Sequence, residues 1–302
     1  MKRHRVAAAL AALGALAHPL SLRAQDSARV VVLGSGTPNA DPDRSGPSVA
    51  IVINGVPYLV DAGPGVVRRA AGAQRNGIAA LAAPNLAVVF ITHLHSDHTL
   101  GLADLIFSPW TLGRTVPLKA FGPPGLRAMT EHLAAAYSAD VQNRTTGLEP
   151  SNKTGWRVIG RDVKPGVVYH DSNVTVRAFV VPHANWAHAY GYRFETKGRN
   201  IVVSGDTRAS DAVVNACNGC DVLVHEAWLE SSIAKRTPDW QRYHHNAHTM
   251  ATELGELASR AKPKLLLLYH LGPPGISDDA YIAEIRQHYS GPVMVAKDLG
   301  VY

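Results

Sequence analysis

The sequence has 302 residues, 46% of them hydrophobic and 18% charged, which is ample material for one large core. Its formal net charge of +6 is concentrated at the start: residues 1–24 hold Lys2, Arg3, Arg5 and Arg23 and no acid, so without them the charge falls to +2. A broad nucleic-acid-binding surface is therefore not indicated by charge.

In chain order, the basic start leads into an apolar run, Val6–Ala17, too short to span a bilayer, which takes roughly 20 residues. Pro19 and Leu22-Arg23-Ala24 follow, and together they read as a secretory signal peptide over residues 1–24. The expected mature chain, residues 25–302, is then periplasmic or secreted, with no stable membrane insertion.

Val30–Leu33 reads as a strand entering the turn Gly34-Ser35-Gly36-Thr37-Pro38. Ser48–Ile53 and Val56–Val60 flank Asn54-Gly55, a strong hairpin signal. A helix to about Gln74 and a buried strand, Ala87–Ile91, come next. Leu118–Phe121 reads as a strand and Gly125–Ala136 as a helix. Residues 137–166 are irregular and read as an insertion or lid.

The second half repeats the pattern, with strands expected at Val174–Val181, Gly191–Glu195, Asn200–Ser204, Asp221–His225, Lys264–His270 and Val293–Val295. Helices are expected at Ala209–Ala216, His248–Ala261 and Ser277–Tyr289, the last capped by Ser277. Two such halves suggest an α/β fold with two sheets face to face between helical layers. Cys217 and Cys220 read as packing residues in preference to a disulfide, because Cys220 runs straight into an apolar strand.

The chemistry is concentrated in T-H-L-H-S-D-H at Thr92–His98. It follows a buried strand, at the strand end where α/β proteins place their sites. Residues two apart in an extended segment point the same way, so His93 and His95 can grip one ion. Asp97 and His98 arrive as the chain turns into a helix and suit a second, adjacent ion. Imidazole and carboxylate without thiolate suit Zn²⁺, with Mn²⁺ or Fe²⁺ as alternatives. His183, Asp206 and His270 each end an apolar run elsewhere. Singly each is explained by capping or a backbone hydrogen bond; jointly they look like ligands.

H-x-H-x-D-H, the lone His183, S-G-D-T at Ser204–Thr207 and the strand-end His270 resemble the metallo-β-lactamase superfamily. L-G-S-G-T-P at Leu33–Pro38, D-A-G-P-G at Asp61–Gly65, G-Y-R-F at Gly191–Phe194, H-E-A at His225–Ala227 and His248-Thr249 resemble its ribonuclease Z and secreted arylsulfatase-like branch. The resemblance implies an αββα four-layer sandwich and a dinuclear zinc hydrolase. It implies His93, His95 and His183 on one ion, Asp97, His98 and His270 on the other, and Asp206 between them. It implies a shared, activated water oriented by Asp97, a proton relay of Glu226 and His248, a supporting role for Asp61, and pairing of two copies. His188 competes with His183 for the ligand role, and His244 and His245 compete with His248 for the proton. Trp186, Trp228 and Trp240 are candidates for a pocket wall.

The leader and the modest charge point to small esters in the cell envelope: arylsulfates, phosphodiesters, or carboxylic and lactone esters. Residues 137–166 hold five basic and three acidic residues, a weak footprint for RNA. A ribonuclease Z-like endonuclease, a β-lactam hydrolase and a non-catalytic metal-binding relative are the alternatives.

Overall fold

Runs of valine, isoleucine and leucine build strands that are covered on both faces. In the computed structural model, which describes residues 28–302, they form two sheets. The expected leader lies outside the described residues. The first sheet runs, in spatial order, β1 (Arg29–Gly34), β2 (Ser48–Ile53), β3 (Val56–Val60), β4 (Val88–Phe90), β5 (Leu118–Gly122) and β6 (Val158–Asp162). The second runs β7 (Gly166–His170), β8 (Thr175–Val180), β9 (Tyr190–Glu195), β10 (Asn200–Val203), β11 (Val222–Trp228), β12 (Leu266–Gly272) and β13 (Val293–Val295). Each sheet is half antiparallel and half parallel: β1–β3 and β7–β10 alternate direction, whereas β3–β6 and β10–β13 run parallel.

The helices are α1 (Val66–Arg75), α2 (Ser96–Thr99), α3 (Leu102–Thr111), α4 (Leu126–Ala136), α5 (Ser138–Thr146), α6 (Asp211–Cys217), α7 (Glu230–Ile233), α8 (Pro238–Ala247), α9 (Ala251–Ala261) and α10 (Asp278–Ile285). Three apolar layers hold the stack. Val32, Ile51, Phe90, Val176, Phe194 and Val224 fill the space between the sheets. Leu102, Leu105 and Trp110 pack with Val52 and Val89 on one outside face, and Leu254, Leu257 and Ile285 with Val202 and Leu268 on the other. This is the expected αββα sandwich. No helix among the described residues is long and apolar enough to cross a membrane.

The hairpin at Asn54-Gly55 forms as read, with both residues at positive φ (49° and 81°), which suits a tight two-residue turn. Other expectations need correction. Within residues 137–166 lie α5 and β6, and β6 is the edge strand of the first sheet. Its polar sequence, Val158-Ile159-Gly160-Arg161-Asp162, hides it because an edge strand keeps one side in water. Gly160 is required there: a side chain would collide with Thr130 and Arg127 of α4. Cys217 and Cys220 form a disulfide, corrected from packing alone. α6 ends at Cys217, and left-handed Asn218 and Gly219 fold the chain back, bringing the two Cα atoms within 4.7 Å. Ser277 sits at the N-cap of α10, but its side chain makes no cap hydrogen bond.

A polar latch joins the sheets where β8 begins. Asp171 accepts from Tyr58 Oη (2.6 Å), Tyr169 Oη (2.9 Å) and the Asn173 backbone N–H (2.8 Å). Burial works against ionisation of Asp171, but these donors outweigh it and hold the carboxyl below its ordinary value. A lowered carboxylate stabilises the fold above its unfolded value of about 3.9 and loses that contribution as pH falls through the folded value. Tyr58→Phe is expected to cost about 1 kcal/mol near neutrality. Urea denaturation will show that deficit narrowing in acid; a deficit independent of pH would contradict this account.

Candidate metal centre

The site is assembled at one end of both sheets, chiefly where parallel strands end. β4 stops at Phe90, and an extended segment then carries His93 and His95 before α2 presents Asp97 and His98. Asp61, at the end of β3 with φ 62°, pins this segment. Its carboxylate accepts from Thr92 N (2.8 Å), Thr92 Oγ1 (3.0 Å) and His98 Nδ1 (2.8 Å). That fixes the His98 ring and turns Nε2 inward.

His183 follows β8, and its Nδ1 donates to the Ala247 carbonyl at 2.6 Å, leaving Nε2 for the site. Asp206 follows β10 through Gly205, whose φ of 64° and crowding by Thr92 and Tyr190 suit only glycine. His270 was expected to end its strand. Instead β12 continues to Gly272 and His270 is a β-bulge: Glu226 pairs with Tyr269 and Ala227 with Leu271, so His270 has no opposite number. Its φ of 49° re-aims the side chain, and its N–H donates to Ser35 O (3.0 Å) rather than to the ladder.

These movements gather two clusters. In the first, His93 Nε2 and His183 Nε2 stand 2.9 and 3.2 Å from His95 Nδ1, with Asp206 alongside. In the second, Asp97, His98 and His270 converge, with His270 Nε2 3.2 Å from Asp97 Oδ2. Asp206 borders both: Oδ1 is 3.3 Å from His98 Nε2 and Oδ2 is 3.7 Å from His270 Nε2. Tetrahedral zinc with bonds of 2.0–2.1 Å spaces its ligand atoms roughly 3.3 Å apart. The donors stand close to that spacing. His98 Nε2 and Asp206 Oδ1 are moreover buried and find no hydrogen-bond partner beyond the cluster, as a cation's ligands would. The donor set fits a divalent metal, zinc being the usual ion for it.

The electrostatics agree. Burial lowers His93 well below the ordinary histidine value and takes His95 to about 4; it lowers His183 too. Neutral imidazoles are the form that binds metal. At His98 and His270 burial also favours the neutral ring, but the charge of Asp206 overrides it; His98 rises well above its ordinary value and His270 to about 9. Asp206, despite burial, is held well below the usual carboxylate range by His270 and His98.

A third group adjoins Asp206. Glu226, from β11, lies 2.7 Å from His248 Nδ1, and its other oxygen accepts from Thr207 N at 2.7 Å. His248 does not open a helix as expected; it is the extended residue that ends α8, and α9 begins only at Ala251. His245 is exposed and turned to Gln241 and Glu230, while His244 packs on Trp228. His188 is exposed and belongs to neither cluster. Trp228 and Trp240 line a cleft of about 770 Å³ beside the centre, together with Tyr243, His244 and Arg236. Trp186 instead donates to His95 Nε2 at 2.8 Å.

Sequence reasoning missed Asp298. It accepts from Ser35 N (2.8 Å) and Ser35 Oγ (2.7 Å) and pairs with Arg69 (3.0 Å), thereby steadying the loop that holds His270. Nothing local in Lys297-Asp298-Leu299 signals this.

A sandwich of this architecture with a histidine–aspartate centre at its strand ends defines a class, the metal-dependent hydrolases of metallo-β-lactamase fold. Residues 57–271 match the family described as the beta-lactamase superfamily domain, and the chain belongs to that superfamily. Within it, the chain is similar to proteins named ribonuclease Z: 30% identical over 278 residues to that of Mycobacterium bovis BCG, covering 89% of this chain and 96% of the relative. Against ribonuclease Z of a Mycobacterium species, strain KMS, the identity is 33% over 249 residues, covering 81% and 84%. Among solved structures, the metallo-β-lactamase fold protein YhfI of Bacillus subtilis shares the fold with a TM-score of 0.70 at 20% identity, covering 91% of this chain and 98% of that one. The short form of human tRNase Z does so with a TM-score of 0.63 at 23% identity, covering the same shares.

Partners that orient a metal ligand are worth about 10–100-fold in metal affinity. Asp61→Asn is expected to weaken zinc binding by that order, and Asp298→Asn by less, since it acts through the Ser35 backbone. Equilibrium dialysis against a competing chelator measures both; unchanged affinity in Asp61→Asn would remove Asp61 from the centre.

Proposed function

We propose that this hydrolase cleaves phosphodiester bonds. Near full-length likeness to ribonuclease Z supports the reading. The observation that carries it is the buried Glu226–His248 pair set against Asp206, since an ester's leaving group needs a proton. We assign His93, His95 and His183 to one divalent ion, Asp97, His98 and His270 to a second, and Asp206 to both, with zinc as the ion. Such ions lower the pKa of water and stabilise charge developing on an ester oxygen.

The chain's own part is to manage protons. Burial, and next the charge of Asp206, raise Glu226 well above the ordinary carboxyl value, while burial lowers His248 to about 4. Both shifts keep the shared proton on Glu226, which donates to His248 Nδ1. His248 then carries its own proton on Nε2, and the residue lines the cleft. That Nε2 proton passes to the departing alkoxide as the Glu226 proton crosses to Nδ1. Glu226 ends as a carboxylate and His248 stays neutral. Thr207 N–H bonds the other Glu226 oxygen and steadies the carboxylate that forms.

Likeness to ribonuclease Z supports RNA as the substrate. Small esters in the cell envelope are the second reading, and specific observations favour it. Arg144, one of the five basic residues of 137–166, is already engaged by Asp140 and Glu149. The Cys217–Cys220 disulfide, with the expected leader, suits a periplasmic or secreted protein.

Metal-loaded protein is expected to hydrolyse bis(p-nitrophenyl) phosphate, and chelated protein not to. Preferential turnover of p-nitrophenyl sulfate, a carboxylic ester or nitrocefin would sink the phosphodiester reading. If RNA is the substrate, cleavage of precursor transfer RNA will fall steeply with added salt, whereas hydrolysis of a small ester will barely change. His248→Ala should lower kcat about 10²–10⁴-fold with an alkyl leaving group, and much less with nitrophenolate, which needs no proton.

A further inference from the structure

Hydrolysis of any ester builds negative charge on the oxygens of the attacked group, and a donor held beside that charge lowers the barrier. The cleft beside the centre is lined by His95, Asp97, Asp206 and His270 of the clusters and by α8. Several of its other polar groups are already engaged. Asn39 Nδ2 donates to Thr37 Oγ1 at 2.8 Å, Asp239 accepts from Arg242, and His248 Nδ1 is taken by Glu226. Trp228 Nε1 is sealed inside the wall. Tyr243 is different. Tyr58, Tyr190, Tyr192 and Tyr281 all donate their hydroxyls to protein oxygens. The Tyr243 hydroxyl has no such partner among the described residues, although the side chain lines the cleft.

Its position and its proton both suit a donor. The ring stands 5.2 Å from that of His244 and 6.2 Å from that of His248. Burial first, and then the charges of Asp206, Glu226 and Asp97, push the hydroxyl above its ordinary value, so it keeps its proton at neutral pH. All three carboxylates belong to the centre, which places the hydroxyl within electrostatic reach of the reacting groups. α8 is also held in place. Ala247 O accepts from His183 Nδ1 at 2.6 Å and Asn246 O from Ala184 N at 2.9 Å, while Gln241 Nε2 bonds Ala234 O and Arg236 O. A donor fixed beforehand needs no reorganisation when the charge develops.

From this we propose that Tyr243 is a further catalytic residue, whose hydroxyl donates a hydrogen bond to an oxygen that stays on the attacked group and gains charge there. His248 serves the oxygen that leaves, and Tyr243 one that remains. The proton stays on Tyr243, so no bond to it is made or broken. The assignment deepens the phosphodiester reading but rests only on ester hydrolysis, and not on phosphorus being the atom attacked.

Tyr243→Phe removes the hydroxyl and keeps the ring, and since the side chain is 38% exposed the variant retains its core. With metal-loaded protein and bis(p-nitrophenyl) phosphate, kcat is expected to fall about 10²-fold with KM nearly unchanged, because the bond strengthens only as charge grows. The leaving group separates this role from the relay. The Tyr243→Phe loss should be equal for nitrophenolate and alkoxide leaving groups, whereas the His248→Ala loss falls mainly on alkoxides. Calorimetry adds a readout without turnover. Vanadate, which takes up five-coordinate geometry like that of the transition state, should bind Tyr243→Phe roughly tenfold more weakly, and inorganic phosphate nearly as before. Zinc affinity by dialysis should not change. Full kcat in Tyr243→Phe, a loss confined to alkoxide leaving groups, or a loss that tracks weakened zinc binding would each overturn the proposal. If a carboxylic or sulfate ester is turned over and no phosphodiester is, the phosphodiester reading fails; the hydroxyl's role then stands or falls by the same loss of kcat on that ester.

Discussion

Four carboxylates, Asp61, Asp97, Asp206 and Glu226, lie buried within one small volume. Buried negative charge is tolerable only when paired with positive charge or neutralised. Here both answers are used. Glu226 sits on the neutral side, Asp97 and Asp206 face imidazoles, of which His98 and His270 are pushed toward the charged form, and Asp61 is held by His98 and Thr92. A divalent ion satisfies the same balance without asking histidines to hold protons. The rest of the molecule follows from bringing these groups together.

Doing so requires that several strands end at one place. The parallel halves supply most of those ends, β4 in the first sheet and β10, β11 and β12 in the second, and β8 of the antiparallel half supplies His183. The packed layer of valines and aromatics between the sheets then sets the distance between the ends. Chemistry sits on this rigid frame, held by Asp61, Ser35 and the Ala247 carbonyl. The cleft beside the centre is walled by a different kind of element. α7 and α8 form an excursion between β11 and α9 whose outer rings are exposed, while its last residue, Ala247, anchors His183.

Much of the fold was legible. Long apolar runs such as Leu266–Tyr269 have few alternatives to a buried strand, and Asn54-Gly55 has few alternatives to a tight turn. Edge strands and amphipathic excursions were not legible. β6 carries Arg161 and Asp162 because half of it faces water, and α8 reads Pro-Asp-Trp-Gln-Arg-Tyr-His-His, with too few apolar positions to declare a face. The disulfide was misread because Cys220 also packs in the core, so its burial masked its covalent partner.

The sequence by itself determined the class of the centre. Three histidines and an aspartate within six residues, with further ligands after apolar runs, leave little other than a metal site, because ligand type is a local property of side chains. Only the tertiary structure decided which of the rival histidines are brought together with the other donors. His183 rather than His188 and His248 rather than His244 or His245 are chosen by where the backbone turns, through the bond to Ala247 and the contact with Glu226. The bulge at His270 and the reach of Asp298 to Ser35 belong to the same category. Such choices depend on contacts between residues far apart in the chain, and spacing along the sequence carries no record of them.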